Sequence, residues 1–171
     1  MGKYLITGSP GVGKTSVVEE LTKRGYKAYN TDNYREITWF DDLQTGKPLK
    51  NKPPAPFDPT RHGWNWRLPA LKKLLNSAKN VFVSGVTSNT IENLDLFDKV
   101  FVLHIGLDTL KDRLTDRANN DFGKHPDELR EVLKDHDGSD IFWKNKGAII
   151  INAEQPIIKV VDDILAHINE K

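Results

Sequence analysis

Short apolar runs alternate along this chain with longer stretches of helical periodicity. Lys3–Thr7 reads as a buried strand. Thr15–Arg24 puts Val17, Val18 and Leu21 on one helical face, and Gly25 ends the helix. Tyr26–Asn30 predicts a short strand. Leu68–Ala78 predicts a helix with Leu71, Leu74 and Leu75 inward, and Val81–Ser84 a strand bounded by Gly85. Lys99–His104, rich in Val and Phe, predicts a fourth strand. Helices over Leu107–Ala118 and Pro126–Leu133 follow, then a strand over Ala148–Asn152 and a helix over Ile157–Ile168. Strands alternating with helices imply a parallel sheet with right-handed crossovers. The expected fold is α/β: a three-layer sandwich around five parallel strands.

One stretch breaks this rhythm. Asp41–His62 carries Pro48, Pro53, Pro54, Pro56 and Pro59 and shows little apolar periodicity. It reads as an ordered loop or small flap inserted into the domain at about 41–66, and loops this long are more often functional than idle.

Composition bounds the rest. The 171 residues suit one domain, 1–171. No apolar run approaches the ~18 residues of a membrane span, and no long apolar leader precedes the first strand, so a cytoplasmic protein is expected. The absence of cysteine excludes disulfides, Cys-ligated zinc and a thiol nucleophile. The net charge of +1 hides an asymmetry. Residues 1–80 hold 14 basic and 7 acidic side chains, and residues 81–171 hold 11 basic and 17 acidic. That split rules out a uniform nucleic-acid coat and leaves room for an anion site in the first half.

The strongest chemical signal follows the first strand. Gly8-Ser9-Pro10-Gly11-Val12-Gly13-Lys14-Thr15 matches G-x-x-x-x-G-K-[ST] at every fixed position, between a predicted strand and a predicted helix. Glycines let main-chain N–H groups turn inward, and the helix start at Thr15 and Ser16 presents its positive dipole end to phosphate. Lys14 can bridge β- and γ-phosphates, and the Thr15 hydroxyl can ligate Mg²⁺. A GTPase reading fails: Asn51-Lys52-Pro53-Pro54 lacks the Asp of N-K-x-D, and Asp135-His136-Asp137-Gly138 spells D-x-x-G only after the fourth strand.

Arg113 and Arg117 are four apart, so they share a helix face, just before the polar loop running to Lys124. Here the chain resembles the nucleoside-monophosphate-kinase and shikimate-kinase group of P-loop kinases, in which R-L-x-x-R leads into a mobile lid. More narrowly it is similar to small bacterial AAA-family or shikimate-kinase-like proteins, through three features. These are Trp64-Asn65-Trp66, Phe82-Val83-Ser84-Gly85 with Asn89, and Arg117-Ala118-Asn119-Asn120-Asp121-Phe122-Gly123-Lys124-His125-Pro126-Asp127-Glu128. The resemblance implies a P-loop NTPase fold with strand order 2-3-1-4-5 and a lid at about 118–126. It implies ATP and Mg²⁺ on the phosphate loop, a small-molecule acceptor and a monomer. It also implies that Arg113 packs near the adenine, that Arg117 reaches the transferring phosphate and that Lys124 joins it on lid closure. Backbone of the loop containing Ala153, Gln155 and Pro156 would meet the adenine edge. A solvated helix face for the two arginines, with Arg113 paired to Asp116, is the competing reading.

Ligands of parallel sheets bind beyond the carboxyl ends of the strands. After the second strand, Asp32 is the candidate general base and Mg²⁺ partner by resemblance; capping a helix over Asn33–Phe40 is its alternative role. After the third, Ser84 stands where many P-loop proteins carry an Asp, and Gly85 and Asn89 are candidate substrate contacts. In and after the insert, Arg61 and Arg67 are candidates for an acceptor anion, and Trp64, Trp66, Trp39 or Phe40 for stacking. His104 reads as a satisfied structural histidine. The leading function is ATP-dependent phosphoryl transfer to a nucleoside, nucleotide or hydroxyl metabolite, with Lys14, Asp32 and Arg117 catalytic. The alternative is a nucleotide-gated ATPase acting on a macromolecular partner.

Overall fold

The computed structural model describes residues 2–54, 58–116 and 124–169. In chain order its elements are β1 (Gly2–Thr7), α1 (Lys14–Lys23), β2 (Lys27–Asn30), β3 (Thr38–Asp42), β4 (Lys47–Pro48), β5 (His62–Trp66), α2 (Leu68–Leu75), β6 (Asn80–Ser84), β7 (Lys99–His104), α3 (Leu107–Asp116), α4 (Pro126–His136), α5 (Ser139–Asn145), β8 (Ile149–Asn152) and α6 (Ile157–Asn169). Short 3₁₀ turns occupy Thr31–Asn33 and Ile91–Leu96.

The large sheet has the order β2-β6-β1-β7-β8, with every neighbouring pair parallel. Counting only its own strands along the chain, this is 2-3-1-4-5. Alternation of side chains across a strand splits its apolar residues between two faces. On one face, Tyr4, Ile6, Phe82, Phe101 and Leu103 pack with Val17 and Leu21 of α1, Leu110 and Leu114 of α3, and Val160, Val161 and Ile164 of α6. On the other, Leu5, Val81 and Val83 pack with Leu71 and Leu75 of α2, and with Ile37, Trp66 and Phe97. The register pairs Asn30 with Ser84 and His104 with Asn152. The polar strand ends therefore gather along one edge.

Three expectations change. Asn33–Phe40 is not a helix. After one 3₁₀ turn and a second, hydrogen-bonded turn at 35–37 the chain extends into β3, where Thr38 and Phe40 are buried and β-branched and aromatic side chains favour the pleat. The insert is correspondingly more than a loop. β3 pairs antiparallel with β4 and β5, giving a three-stranded sheet in the order β4-β3-β5. Its alternation was obscured by prolines in the connection, and β4 is only two residues long. Helix α4 also runs past Leu133 to His136, because Leu129, Val132, Leu133 and His136 form one inward stripe. Among the described residues no helix is long and apolar enough to cross a membrane.

Candidate functional site

Beyond the carboxyl ends of β1, β2 and β6 lies a cleft of about 2220 Å³. That exceeds the roughly 300–1,000 Å³ of a single small-ligand pocket, so it has room for two ligands. The phosphate loop forms its floor, with Ser9 to Ser16 all lining it. Gly8 lies behind that wall, at φ 133, and a Cβ there would fall 2.5 Å from the Leu103 carbonyl oxygen, so only glycine fits. Gly13 caps α1 in the left-handed region at φ 108, which turns the first helical N–H groups toward the cleft. Lys14 donates from Nζ to the carbonyl oxygens of Gly8 at 2.7 Å and Ser9 at 2.9 Å. Its ammonium is thus held over the loop.

Asp32 and Thr15 line the same cleft, and Asn30 ties them together. The Asn30 side chain donates to Thr15 Oγ1 at 3.3 Å and accepts from the Asp32 backbone N–H at 3.1 Å. Asp32 is at the solvent-exposed mouth, yet protein crowds its carboxylate. Desolvation raises its pKa, while the Trp64 hydrogen bond and the Lys14 charge oppose the rise. Water contact at the mouth limits that rise. Hydroxyl and carboxylate oxygens suit Mg²⁺, which keeps several waters and takes one or two protein ligands plus phosphate oxygens. Thr15 and Asp32 therefore fit that ion. Ser84 does not reach the cleft: it is fully buried, and its Oγ has no hydrogen-bond partner.

Another part of the cleft is lined by α3 and the loop after β8. Arg113 donates to the carbonyl oxygens of Val12 at 3.2 Å and Ala153 at 3.1 Å, tying the phosphate loop to that segment. It forms no pair with Asp116. Ala153 and Gln155 line the cleft; Pro156 lies behind, where its carbonyl accepts from Lys159 and Val160. Arg117 and residues 118–123 of the expected lid lie outside the described residues. Lys124 does line the cleft.

The small sheet supplies an aromatic wall to the cleft. Trp64 packs on Phe40 with centroids 4.6 Å apart and on Trp39 at 6.3 Å, and all three line the cleft. Trp64 Nε1–H donates to Asp32 Oδ1 at 3.1 Å, so one ring both walls the cleft and orients the carboxylate. Trp66, two residues on, belongs to the core at 3% exposure.

The remaining acceptor-side candidates play other parts. Arg67 pairs with Asp41 at 3.2 Å, and neither Arg67 nor Arg61 lines the cleft. Asn89 is occupied by Trp66, accepting from its N–H at 3.0 Å and donating to its carbonyl at 3.1 Å. Gly85 makes its close approach to protein: a Cβ there would lie 2.5 Å from Thr31 Oγ1. Val86, Thr87 and Ser88, just after it, line the cleft instead.

His136 is the residue the sequence reading passed over. It is 1% exposed, its Nδ1 lies 2.7 Å from Ser9 Oγ and its Nε2 2.6 Å from the Ile105 carbonyl oxygen. Its place on the apolar stripe of α4 was the available signal, masked by the incidental D-x-x-G spelling. The His104 ring stacks parallel on it at 4.6 Å. His104 is not satisfied as expected, since its Nδ1 is buried without a partner. Burial, then the neighbouring His136, lowers the His104 pKa.

No curated protein matches the chain. Among solved structures, shikimate kinase from Acinetobacter baumannii in complex with shikimate superposes with a TM-score of 0.60 at 19% identity, covering 100% of this chain and 96% of the other. Deoxyadenosine kinase from M. mycoides with bound dATP gives 0.59 at 17%, covering 98% and 100%. A gluconokinase from Sinorhizobium meliloti 1021 gives 0.52 at 20%, covering 96% and 90%. At these identities the likeness is one of fold. A family model described as an AAA domain matches residues 5–134, and with most of its length so matched the chain belongs to that family, on the fold of the P-loop small-molecule kinases.

Proposed function

We propose that this chain is a Mg²⁺-dependent kinase that transfers the γ-phosphoryl group of ATP to a hydroxyl of a small molecule with a flat ring, such as a nucleoside. Residues 1–171 would work as one domain, with 41–66 as the acceptor flap and 118–126 as the lid. The observation that carries the reading is the convergence of Lys14, Thr15, Asp32 and Trp64 on one cleft. The fold shared with a deoxyadenosine kinase and two other small-molecule kinases supports it.

The phosphate loop holds the triphosphate through its N–H groups, and Lys14 offsets charge that spreads over the γ-phosphate oxygens. Thr15 and Asp32 would hold Mg²⁺, which when bound would supply charge neutralisation at the phosphates. The acceptor ring rests on Trp64, which Phe40 backs, with its hydroxyl facing Asp32. That hydroxyl oxygen bonds to the γ-phosphorus as the bond from phosphorus to the β–γ bridging oxygen breaks. Asp32 takes the hydroxyl proton and releases it to solvent, and ADP departs. Positioning and charge stabilisation supply the rate.

A coupled ADP-release assay over nucleosides, sugars and ring-free alcohols tests this. A ring-bearing acceptor is expected to raise turnover well above bare ATP hydrolysis. Lys14→Ala is expected to lose about 10²–10³-fold or more of it. Hydrolysis stimulated only by a macromolecule, with no phosphorylated small product, would overturn the kinase reading in favour of a nucleotide-gated ATPase.

A further inference from the structure

A buried histidine outside the nucleotide-binding motif reaches its first variable residue. His136 ends α4 and links two chain segments that follow different strands: Ser9 after β1, and Ile105 after β7. The chemistry of the two contacts fixes the protons. A carbonyl oxygen only accepts, so His136 Nε2 carries the hydrogen toward Ile105. In the neutral ring the Nδ1 lone pair then faces Ser9, whose hydroxyl donates to it. The stacked His104 ring covers one face of the imidazole and holds it in plane.

Ser9 is thereby held at both ends. Its hydroxyl is fixed by His136, and its carbonyl oxygen is one of the two that Lys14 Nζ meets. The ring that sets Ser9 therefore sets the position of the Lys14 ammonium as well. It does so from the helix that also brings Glu128, Val132 and Asp135 to the cleft.

We propose that His136 is a positioning residue for the phosphate loop: through Ser9 it holds the loop and Lys14 in their phosphate-receiving arrangement and registers the loop against α4. The effect on catalysis rests on the kinase reading above; the effect on the loop does not.

Two readouts separate these. In the nucleotide-free protein, amide hydrogen exchange of the loop residues Val12–Thr15 is expected to quicken in Ser9→Ala and His136→Phe and to return to wild type in Ser9→Thr, which keeps the hydroxyl. In the enzyme assay, each deletion is expected to raise KM for ATP roughly 3- to 10-fold, the worth of one ordinary hydrogen bond. KM for the acceptor should hold. The double variant should be no worse than the more severe single one, because both remove the same contact. If His136→Phe does not fold, the Ser9→Ala and Ser9→Thr pair decides alone. Loop exchange and KM for ATP within twofold of wild type in Ser9→Ala would overturn the proposal, as would single effects that multiply in the double variant. Altered loop exchange in a protein that turns over no acceptor would leave the positioning role standing and remove the kinase reading.

Discussion

Asp32 shows how one side chain can be tuned from several directions. Burial among protein atoms raises its pKa, and the Trp64 N–H and the Lys14 charge pull it down. A base acts only when deprotonated, so the acid limb of kcat/KM is expected above the ordinary Asp value of about 3.9. Trp64→Phe removes a bond to the charged form and is expected to move that limb to still higher pH. Asp32→Asn is expected to lower kcat by about 10²–10⁴-fold with the limb abolished. A pH–rate profile of the three proteins checks all of this, and an unshifted limb in Trp64→Phe would show that the indole does not tune the carboxylate. The phosphate loop was legible residue by residue, because its conformation is local and glycine-dependent. The partners of Asp32 were not, since Trp64 is 32 positions away and reaches it only through the small sheet.

At the scale of elements, the small sheet is pinned to the large one by burial of Trp66 against Leu5, Val81 and Val83 and by a short chain of hydrogen bonds. Trp66 Nε1–H donates to Thr31 Oγ1 at 3.0 Å, and Thr31 Oγ1–H donates to the Ser84 carbonyl oxygen at 2.9 Å. Asn89 clamps the Trp66 backbone from the other side. Asn89→Ala leaves a half-buried N–H and carbonyl unpartnered and is expected to cost about 1–3 kcal/mol in urea denaturation. It should also raise KM for the acceptor more than KM for ATP, because Trp64 lies on the strand it loosens. Equal effects on both constants would mean that the clamp serves stability alone. The W-x-W spacing was visible in the sequence, but not which of the two Trp would face the cleft. The strand pairing beneath it was not, because the register of β3 and β5 joins residues far apart in sequence.

Over the whole molecule, the stacked His104–His136 pair gives stability a pH dependence with a definite sign. His104 has a lowered pKa in the folded chain, from burial first and from His136 second, with Lys144 adding to it and Asp140 and Glu154 opposing. The unfolded chain then binds more protons below the ordinary His value of about 6.5, so stability present above that pH is lost as pH falls through it toward the lowered folded value. The drop in urea midpoint between pH 7.5 and 5.5 is expected to shrink in His104→Gln. An unchanged drop would assign the acid sensitivity to other groups. The charge asymmetry of the sequence has a structural resolution too. The cations that line the cleft, Lys14, Lys52, Arg113 and Lys124, come from both halves of the chain. Local pattern was enough to determine the five parallel strands, the helices apart from α5 and the phosphate loop, because alternation, helical periodicity and glycine geometry act over a few residues. Only tertiary structure decided that Arg67 pairs with Asp41, that Asn89 and Gly85 serve Trp66 and Thr31, and that His136 grips Ser9. Those outcomes depend on which distant groups burial brings into hydrogen-bonding distance, and no spacing in the sequence records that.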